Sequence, residues 1–156
     1  MAELSVEYIN PFLAAATSIM KSMCQLDVKI GKPYVKTTEF ENDSLVIMIG
    51  VTGEMRGQVM IAFSVDIACD IASKMIMTPV IELNELSMSA ISELGNMILG
   101  NAATILSTKG IGIDITPPTL CRGNVSIINS YSKNICIPLH YEDGKYVELD
   151  IAIKQE

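Results

Sequence analysis

The chain has 156 residues, 49% of them hydrophobic, and a formal net charge of −7 at pH 7. That length suits a single domain spanning residues 1–156, and no stretch approaches the roughly 18 consecutive apolar residues of a membrane span. The acidic balance, without any cluster of Lys or Arg, argues against a nucleic-acid partner, which requires a basic surface.

The first residues and the cysteines bear on the cellular compartment. The segment MAELSVEYINPF is acidic and lacks a basic stretch ahead of an apolar one, so we expect no secretory signal and a cytoplasmic location. The four cysteines, at positions 24, 69, 121 and 136, show no metal-binding spacing, and the chain has one histidine. We therefore expect no zinc site and mostly buried, reduced thiols.

The first half of the chain is predicted to form a helix, several strands and a second helix. The first helix is predicted to begin at Asn10, with Pro11 at its first position, and to end near Met23. Residues 27–38 alternate as in a strand, and two further strands at 44–50 and 57–63 flank a hairpin turn, TGEMRG. Ser64 is predicted to cap a short helix that stops at Pro79.

Residues 86–110, LSMSAISELGNMILGNAATILSTKG, predict the longest helix of the chain. At about 100° of turn per residue, its apolar side chains collect on one side. This predicted inner side consists of Met88, Ile91, Leu94, Ile98, Ala102, Ile105 and Leu106. Two glycines lie inside the helix, although each costs about 1 kcal/mol relative to alanine. Gly95 falls towards the inner side, where it permits close packing, whereas Gly100 falls on the opposite side.

The opposite side of this helix has an unusual composition. It carries Ser89, Glu93, Asn96, Gly100 and Thr104, with Leu86 and Met97 close to them. A solvated helix face is normally filled with Lys, Glu, Gln and Arg, but this one has a single charge. Glu93 and Asn96 are three residues apart and point the same way, and Gly100 leaves the backbone open to an incoming molecule. The pattern predicts a binding or catalytic face.

The C-terminal part is predicted to be β-structure. Four segments are β-like, at 111–116, 120–130, 134–140 and 145–153, and the last two are joined by the turn Glu142-Asp143-Gly144. A helix followed by strands occurs twice, which indicates an internal duplication of an α-β-β unit. We therefore predict an α+β fold, a largely antiparallel sheet with two long helices packed on it. Apolar C-terminal strands left as bare edges would aggregate, and pairing with a second copy is one remedy.

The helix motif resembles that of a known protein family. Ser89-x-x-x-Glu93-x-x-Asn96, followed by Gly100-Asn101-Ala102-Ala103-Thr104 and a proline, is similar to the signature of the CheC/CheX/FliY phosphatases of bacterial chemotaxis. The single copy of the motif and the sequence ISELGNMILGNA…DITPPT resemble the CheX branch in particular. The family proline stands slightly further from the asparagine than Pro117 or Pro118, so which of these two matches it stays open.

The resemblance implies a fold, a reaction and a set of partners. It implies a CheC-like fold, a pseudo-twofold sheet flanked by two long helices, and a homodimer. It also implies hydrolysis of the phosphoaspartate of a CheY-type response regulator. Asn96 is then expected to position the attacking water, because a carboxamide both accepts and donates hydrogen bonds. Glu93 is expected to anchor a lysine of the partner.

The remaining positions of this helix face are expected to bind the partner. Ser89, Met97, Gly100 and Thr104 are expected to contact the response regulator beside Glu93. Mg²⁺ is expected on the response regulator, and no cofactor or metal is expected in this chain. Since phosphoryl transfer mostly needs positioning and charge stabilisation, no general base is required from this chain.

Two other functions are weighed against this one. The same face also suits a non-catalytic adaptor that binds a response regulator, with Glu93 and Asn96 giving only hydrogen bonds at the rim. A small-molecule hydrolase is poorly supported, because Ser89 has no histidine within helical reach to activate it.

The first helix repeats the spacing of the motif in Glu7-x-x-Asn10. When LAAATSIM is aligned with GNAATILS, however, Val6 and Ile9 occupy the positions of Glu93 and Asn96. Pro11 is also expected to interrupt a helix that extends back to Glu7. We therefore predict one active site per chain, with Asn10 serving only as a helix cap.

Overall fold

The computed structural model describes residues 6–36, 39–126, 134–142 and 144–155. Over these residues the chain forms three helices and one antiparallel sheet of eight strands, which confirms the predicted α+β fold. The elements in chain order are α1 Val6–Cys24, β1 Lys29–Ile30, β2 Tyr34–Lys36, β3 Glu39–Gly53, β4 Met55–Ser64, α2 Val65–Ile76, α3 Glu85–Thr108, β5 Ile113–Ile115, β6 Thr119–Ser126, β7 Asn134–Tyr141 and β8 Lys145–Gln155.

The sheet has a pseudo-twofold arrangement. Its order is β1-β7-β8-β4-β3-β5, with β2 also on β7 and β6 also on β3. β4 and β8 lie side by side at the centre of the sheet. Their pairing runs from Met55 opposite Gln155 to Ala62 opposite Glu148. One half consists of α1 with β1–β4, and the other of α3 with β5–β8. β1 and β2 pair with β7 of the second half, and β5 and β6 pair with β3 of the first half. The predicted duplication is confirmed, but each unit holds four strands instead of two.

The hydrophobic core lies between the helices and one face of the sheet. Successive strand residues point to opposite faces, so every second residue of a strand enters this core. On the central strands the core residues include Ile47 and Ile49 of β3, Ile61 of β4 and Leu149 of β8, all at most 2% exposed. A smaller cluster, Val46, Met60 and Ala62, is buried on the other face.

The predicted start of the first helix is wrong. α1 begins at Val6, so Asn10 lies inside the helix and Pro11 lies one residue further in. Proline here removes only one intrahelical hydrogen bond, the one that its N–H would donate to the Glu7 carbonyl. Tyr8 and Ile9 pack against the core and hold the first turn in place. Glu7 and Asn10 are therefore both helical residues.

Several strand predictions need correction. The segment 27–38 forms two short strands, β1 and β2, because Pro33 between them has no N–H for a strand ladder. Residues 37–38 of that segment, and residues 127–130 of the strand predicted at 120–130, lie outside the described residues. The C-terminal strands are not bare edges, since β8 pairs with β4 and β7, and β7 pairs with β8, β1 and β2. They give no argument for a second copy.

Other local predictions are confirmed. Ser64 caps α2, its side chain accepting a hydrogen bond from the Ile67 N–H at 3.3 Å. β7 and β8 form a hairpin across residues 142–144, where Glu142 and Gly144 have φ values of 47° and 76°. Asp143 of this turn lies outside the described residues. Among the helices that the structure describes, none is both long and apolar enough to cross a membrane.

Candidate functional site

The start of α3 is set by a capping box. The Asn84 side chain accepts a hydrogen bond from the Ser87 N–H at 2.9 Å, and the Ser87 hydroxyl accepts one from the Asn84 N–H at 2.7 Å. These two bonds satisfy backbone donors that have no partner inside the helix. The helix therefore begins at Glu85, one residue before the predicted start, and its rotational phase is fixed from its first turn.

The inner side of α3 is buried as predicted. Its fully buried residues are Ser87, Ile91, Leu94, Gly95, Ile98, Leu99, Ala102 and Leu106, and Met88 and Ile105 pack partly against the core. A Cβ atom added at Gly95 would lie 2.9 Å from Cδ1 and 3.0 Å from Cγ2 of Ile47 on β3. Gly95 therefore allows α3 to lie close to the sheet, as the helical phase predicted.

The opposite side of α3 is exposed. We define the outer face as Ser89, Glu93, Asn96, Met97, Gly100 and Thr104. Ser89, Glu93 and Thr104 are exposed, and the other three are half-buried. A Cβ atom added at Gly100 would meet no atom within 4 Å, so this glycine fills no packing requirement. The Thr104 hydroxyl donates to the Gly100 carbonyl at 3.1 Å, which ties this side chain to the helix.

Glu93 and Asn96 are available for an incoming molecule. Within the described parts of the chain, neither side chain forms a hydrogen bond or an ion pair. The fold therefore does not use their polar atoms. Because they are three residues apart on one helix, a carboxylate and a carboxamide can contact the same bound group.

The charged groups with shifted pKa values lie on other elements. Burial raises the pKa of the Asp70 carboxyl on α2, but the hydrogen bond from Tyr141 and the ammonium groups of Lys74 and Lys145 outweigh it and lower the pKa below its usual value. Tyr141 donates to Asp70 at 2.8 Å and the Lys145 ammonium lies 3.4 Å from it. This cluster joins α2 to the β7–β8 hairpin and serves the fold.

Three side chains outside the outer face could hold a metal ion. Cys136 on β7 and Glu148 and Asp150 on β8 are buried, each with a ligand atom within 4.8 Å of the others. Their distant positions hid this group from motif analysis, although strand alternation with the hairpin register could have revealed it. The Tyr34 hydroxyl donates to Glu148, and each of the three has a partner within the protein.

The cysteines are free thiols, as expected. Cys24, Cys69 and Cys136 are buried and Cys121 is half-buried. Burial raises the pKa of the Cys24 thiol to about 11, so this thiol stays protonated at neutral pH. A protonated, buried thiol is a poor nucleophile.

Comparison with known proteins identifies the family. The family model of chemotaxis phosphatase CheX matches residues 45–140, which include the whole outer face. The chain is also 30% identical to the CheY-P phosphatase CheX of Thermotoga maritima over 152 residues, covering 97% of this chain and 98% of that protein. The chain belongs to the CheX family of chemotaxis phosphatases.

Solved structures of CheX and CheC-like proteins share the fold. A CheC-like superfamily protein from a Shewanella species has a TM-score of 0.86 and 27% identity, covering 97% of this chain and 99% of that one. The CheX-CheY-BeF₃-Mg²⁺ complex from Borrelia burgdorferi has a TM-score of 0.81 and 31% identity, covering 97% of this chain and 100% of that one. The CheC-like fold is thus confirmed, and with it the phosphatase class of the protein.

Proposed function

We propose that this CheX family member hydrolyses the phosphoaspartate of a CheY-type response regulator at the outer face of α3. The observation that carries the proposal is the pair of the exposed Glu93 and the half-buried Asn96 beside Gly100, where no atom lies within 4 Å of an added Cβ. A partner can approach the helix backbone at Gly100 and meet both polar side chains. The Borrelia relative, whose structure holds CheY, BeF₃ and Mg²⁺, supports a receiver protein as that partner.

Asn96 is proposed to orient the water that attacks the phosphorus atom. Its carboxamide oxygen accepts a hydrogen bond from the water, and its amide group donates one to a phosphoryl oxygen. The water oxygen bonds to phosphorus and the bond from phosphorus to the aspartyl oxygen breaks. The regulator recovers its carboxylate, and the water protons leave with inorganic phosphate. Because the leaving carboxylate is stable, positioning is the main requirement.

Glu93 is proposed to hold the partner in place. Its carboxylate is exposed and forms no ion pair among the described residues, so it can pair with a lysine of the regulator. Ser89, Met97, Gly100 and Thr104 lie on the same face and are proposed to contact the partner around this anchor. The Mg²⁺ ion is proposed to belong to the regulator, and this chain is proposed to need no cofactor.

Phosphate release tests the reaction directly. A CheY-type regulator is phosphorylated with a small-molecule donor and Mg²⁺, the donor is removed, and inorganic phosphate is followed with and without this chain. We expect the chain to accelerate release in proportion to its concentration. An unchanged release rate would overturn the phosphatase proposal, and binding of the BeF₃-loaded regulator without acceleration would establish the adaptor instead.

We also infer that the protein acts in the cytoplasm as a homodimer. The family resemblance supports the dimer, and so does the edge of the sheet at β1 and β2. Ile30, Tyr34 and Val35 are 50%, 44% and 62% exposed there, which is unusual for large apolar side chains. Sedimentation equilibrium tests the inference, since the mass of a single chain at micromolar concentration would contradict it.

A further inference from the structure

The connection between α2 and α3 exposes large apolar side chains. Met77, Ile81 and Leu86, which lie in this connection and in the first turn of α3, are 87%, 94% and 65% exposed. Clustered exposure of large apolar side chains is typical of a binding surface.

The backbone of this connection is held in place although these side chains are exposed. The Ser73 hydroxyl of α2 accepts a hydrogen bond from the Val80 N–H at 2.9 Å and donates one to the Cys69 carbonyl at 2.7 Å. Leu83 is buried in the core, and the capping box at Asn84 fixes the start of α3. The exposed side chains are therefore presented by an ordered backbone, which lowers the entropy cost of binding a partner.

Leu86 continues the outer face of α3 towards the start of the helix. At about 100° of turn per residue, Leu86 falls within about 20° of both Glu93 and Met97. It lies two turns, or about 10 Å along the axis, before Glu93. A protein that covers Ser89 and Glu93 therefore reaches Leu86 as well.

The charges around these apolar side chains indicate what kind of surface can bind them. Glu82 and Glu85 are exposed beside them, and the sequence has no Lys, Arg or His between Lys74 and Lys109. A complementary surface carries apolar side chains flanked by basic ones, since rim charges of opposite sign guide association. The lysine that the regulator is proposed to place at Glu93 is one such basic group.

We propose that Ile81 and Leu86, here called the apolar patch, bind an apolar surface of the response regulator beside its phosphoaspartate. The inference rests on the proposed function of the outer face. Ile81 lies four positions before Glu85, the first residue of α3, so both side chains of the patch stand at the start of that helix. Neither acts on the reacting atoms. The patch contributes binding energy that is equal before and during the attack by water.

Affinity gives the first test. A CheY-type regulator loaded with BeF₃ and Mg²⁺ is titrated into the intact protein by calorimetry. We expect Leu86→Ser and Ile81→Ser each to raise Kd roughly fivefold or more, because each removes an apolar side chain from the contact. Leu86→Met keeps an apolar side chain of similar volume and should bind within about twofold of the wild type. An unchanged Kd in both serine variants would overturn the proposal.

Tyr146→Ser is the matched control. Tyr146 is 51% exposed, but its neighbour Val147 on β8 points into the core below the helices. Because successive strand residues point to opposite faces, Tyr146 lies on the far side of the sheet from α3. We expect no change in Kd, and a loss equal to that of Leu86→Ser would show that the attraction is not specific to the patch. Melting temperatures show that each variant is folded.

Turnover separates the patch from the catalytic pair. The two serine variants should raise KM for the phosphorylated regulator and leave kcat unchanged, because they remove binding energy common to the ground and transition states. A lowered kcat with an unchanged KM would contradict the binding role.

Sedimentation equilibrium on the same variants tests the other occupant of the patch. If Leu86→Ser and Ile81→Ser altered the association state of this chain and left Kd for the regulator unchanged, the patch would join copies of this chain and the proposal would be wrong. Wild-type turnover and affinity in both variants would refute the patch while leaving the proposed function intact. A wild type that neither binds the regulator nor accelerates phosphate release would refute both.

Discussion

At the scale of single residues, Asn96 and Glu93 have different proposed roles that kinetics can separate. A group needed only when water attacks affects kcat, whereas a group that holds the bound partner affects KM as well. Both side chains project from an exposed helix face and take no part in the core. Their removal is therefore expected to change function without unfolding the protein.

Asn96→Ala is expected to lower phosphate release roughly tenfold or more, because it removes the group that orients the attacking water. Binding of the BeF₃-loaded regulator should stay largely intact. Asn101→Ala is the matched control, since Asn101 is half-buried on the same helix but lies off the outer face. Wild-type turnover in Asn96→Ala would contradict the water-positioning role.

Glu93→Ala is expected to weaken both binding and turnover, because the partner loses its anchoring ion pair. Calorimetric titration and phosphate release on the same preparation measure the two effects. Glu85→Ala, in the exposed first turn of α3, controls for the loss of one negative charge. If Glu85→Ala produced an equal loss, general electrostatic attraction would explain the result and the specific anchor would be excluded.

At the scale of elements, α3 carries two glycines in opposite environments. Gly95 lies against the buried Ile47 side chain, and Gly100 faces open space. The helix penalty of about 1 kcal/mol is therefore offset by close packing at Gly95, whereas Gly100 is proposed to leave room for a partner.

Alanine at the two glycines should have opposite effects on stability. Gly95→Ala should lower the melting temperature, since overpacking a core typically costs about 1–3 kcal/mol and exceeds the gain in helix propensity. Gly100→Ala should leave it unchanged or slightly higher. Thermal unfolding followed by circular dichroism measures both. The reverse order of the two variants would show that the helical phase is misassigned.

Gly100→Leu tests access to the outer face. The leucine side chain should block docking of the BeF₃-loaded regulator without lowering the melting temperature, because no atom lies within 4 Å of the added Cβ. Calorimetry measures docking and thermal unfolding measures stability, so together they separate blocked docking from a loss of stability in this variant. A sharp fall in melting temperature would place Gly100 in the core and remove it from the site.

At the scale of the whole molecule, Asp70 links a helix to the distant end of the chain. Tyr141 and Lys145 of the β7–β8 hairpin and Lys74 of α2 all contact its carboxylate. Burial raises the pKa of Asp70, but the Tyr141 hydrogen bond and the two ammonium groups lower it by more, so the pKa in the folded state lies below its usual value of 3.8. The ionised form therefore stabilises the fold.

The stabilisation by Asp70 is expected to depend on pH. Because the folded pKa is lowered, the contribution is complete above pH 3.8, the unfolded value, and is lost as pH falls through the folded pKa. Asp70→Asn should melt at a lower temperature than the wild type at neutral pH, and the difference should shrink in acid. A difference that stays constant with pH would show that charge is not its origin.

The sequence by itself determined the features that depend on local geometry. Helical phase follows from about 100° of turn per residue, so Gly95 and Gly100 could be placed on opposite sides of α3, and Glu93 beside Asn96, without coordinates. Ser64 as a cap and the β7–β8 hairpin are local signals of the same kind. The family resemblance depended mainly on this helix, with the segment DITPPT after it, and was confirmed.

Only the tertiary structure decided what depends on contacts between distant residues. The start of α1 at Val6 follows from Tyr8 and Ile9 packing on the core, which outweighs the tendency of Pro11 to end a helix. The position of Asn10 inside α1, where the sequence predicted a cap, follows from the same packing. The pairing of β1 and β2 with β7, and of β5 and β6 with β3, likewise depends on contacts between residues far apart in the sequence. The free energy of burial is a property of the assembled layers, and no short stretch of sequence contains it.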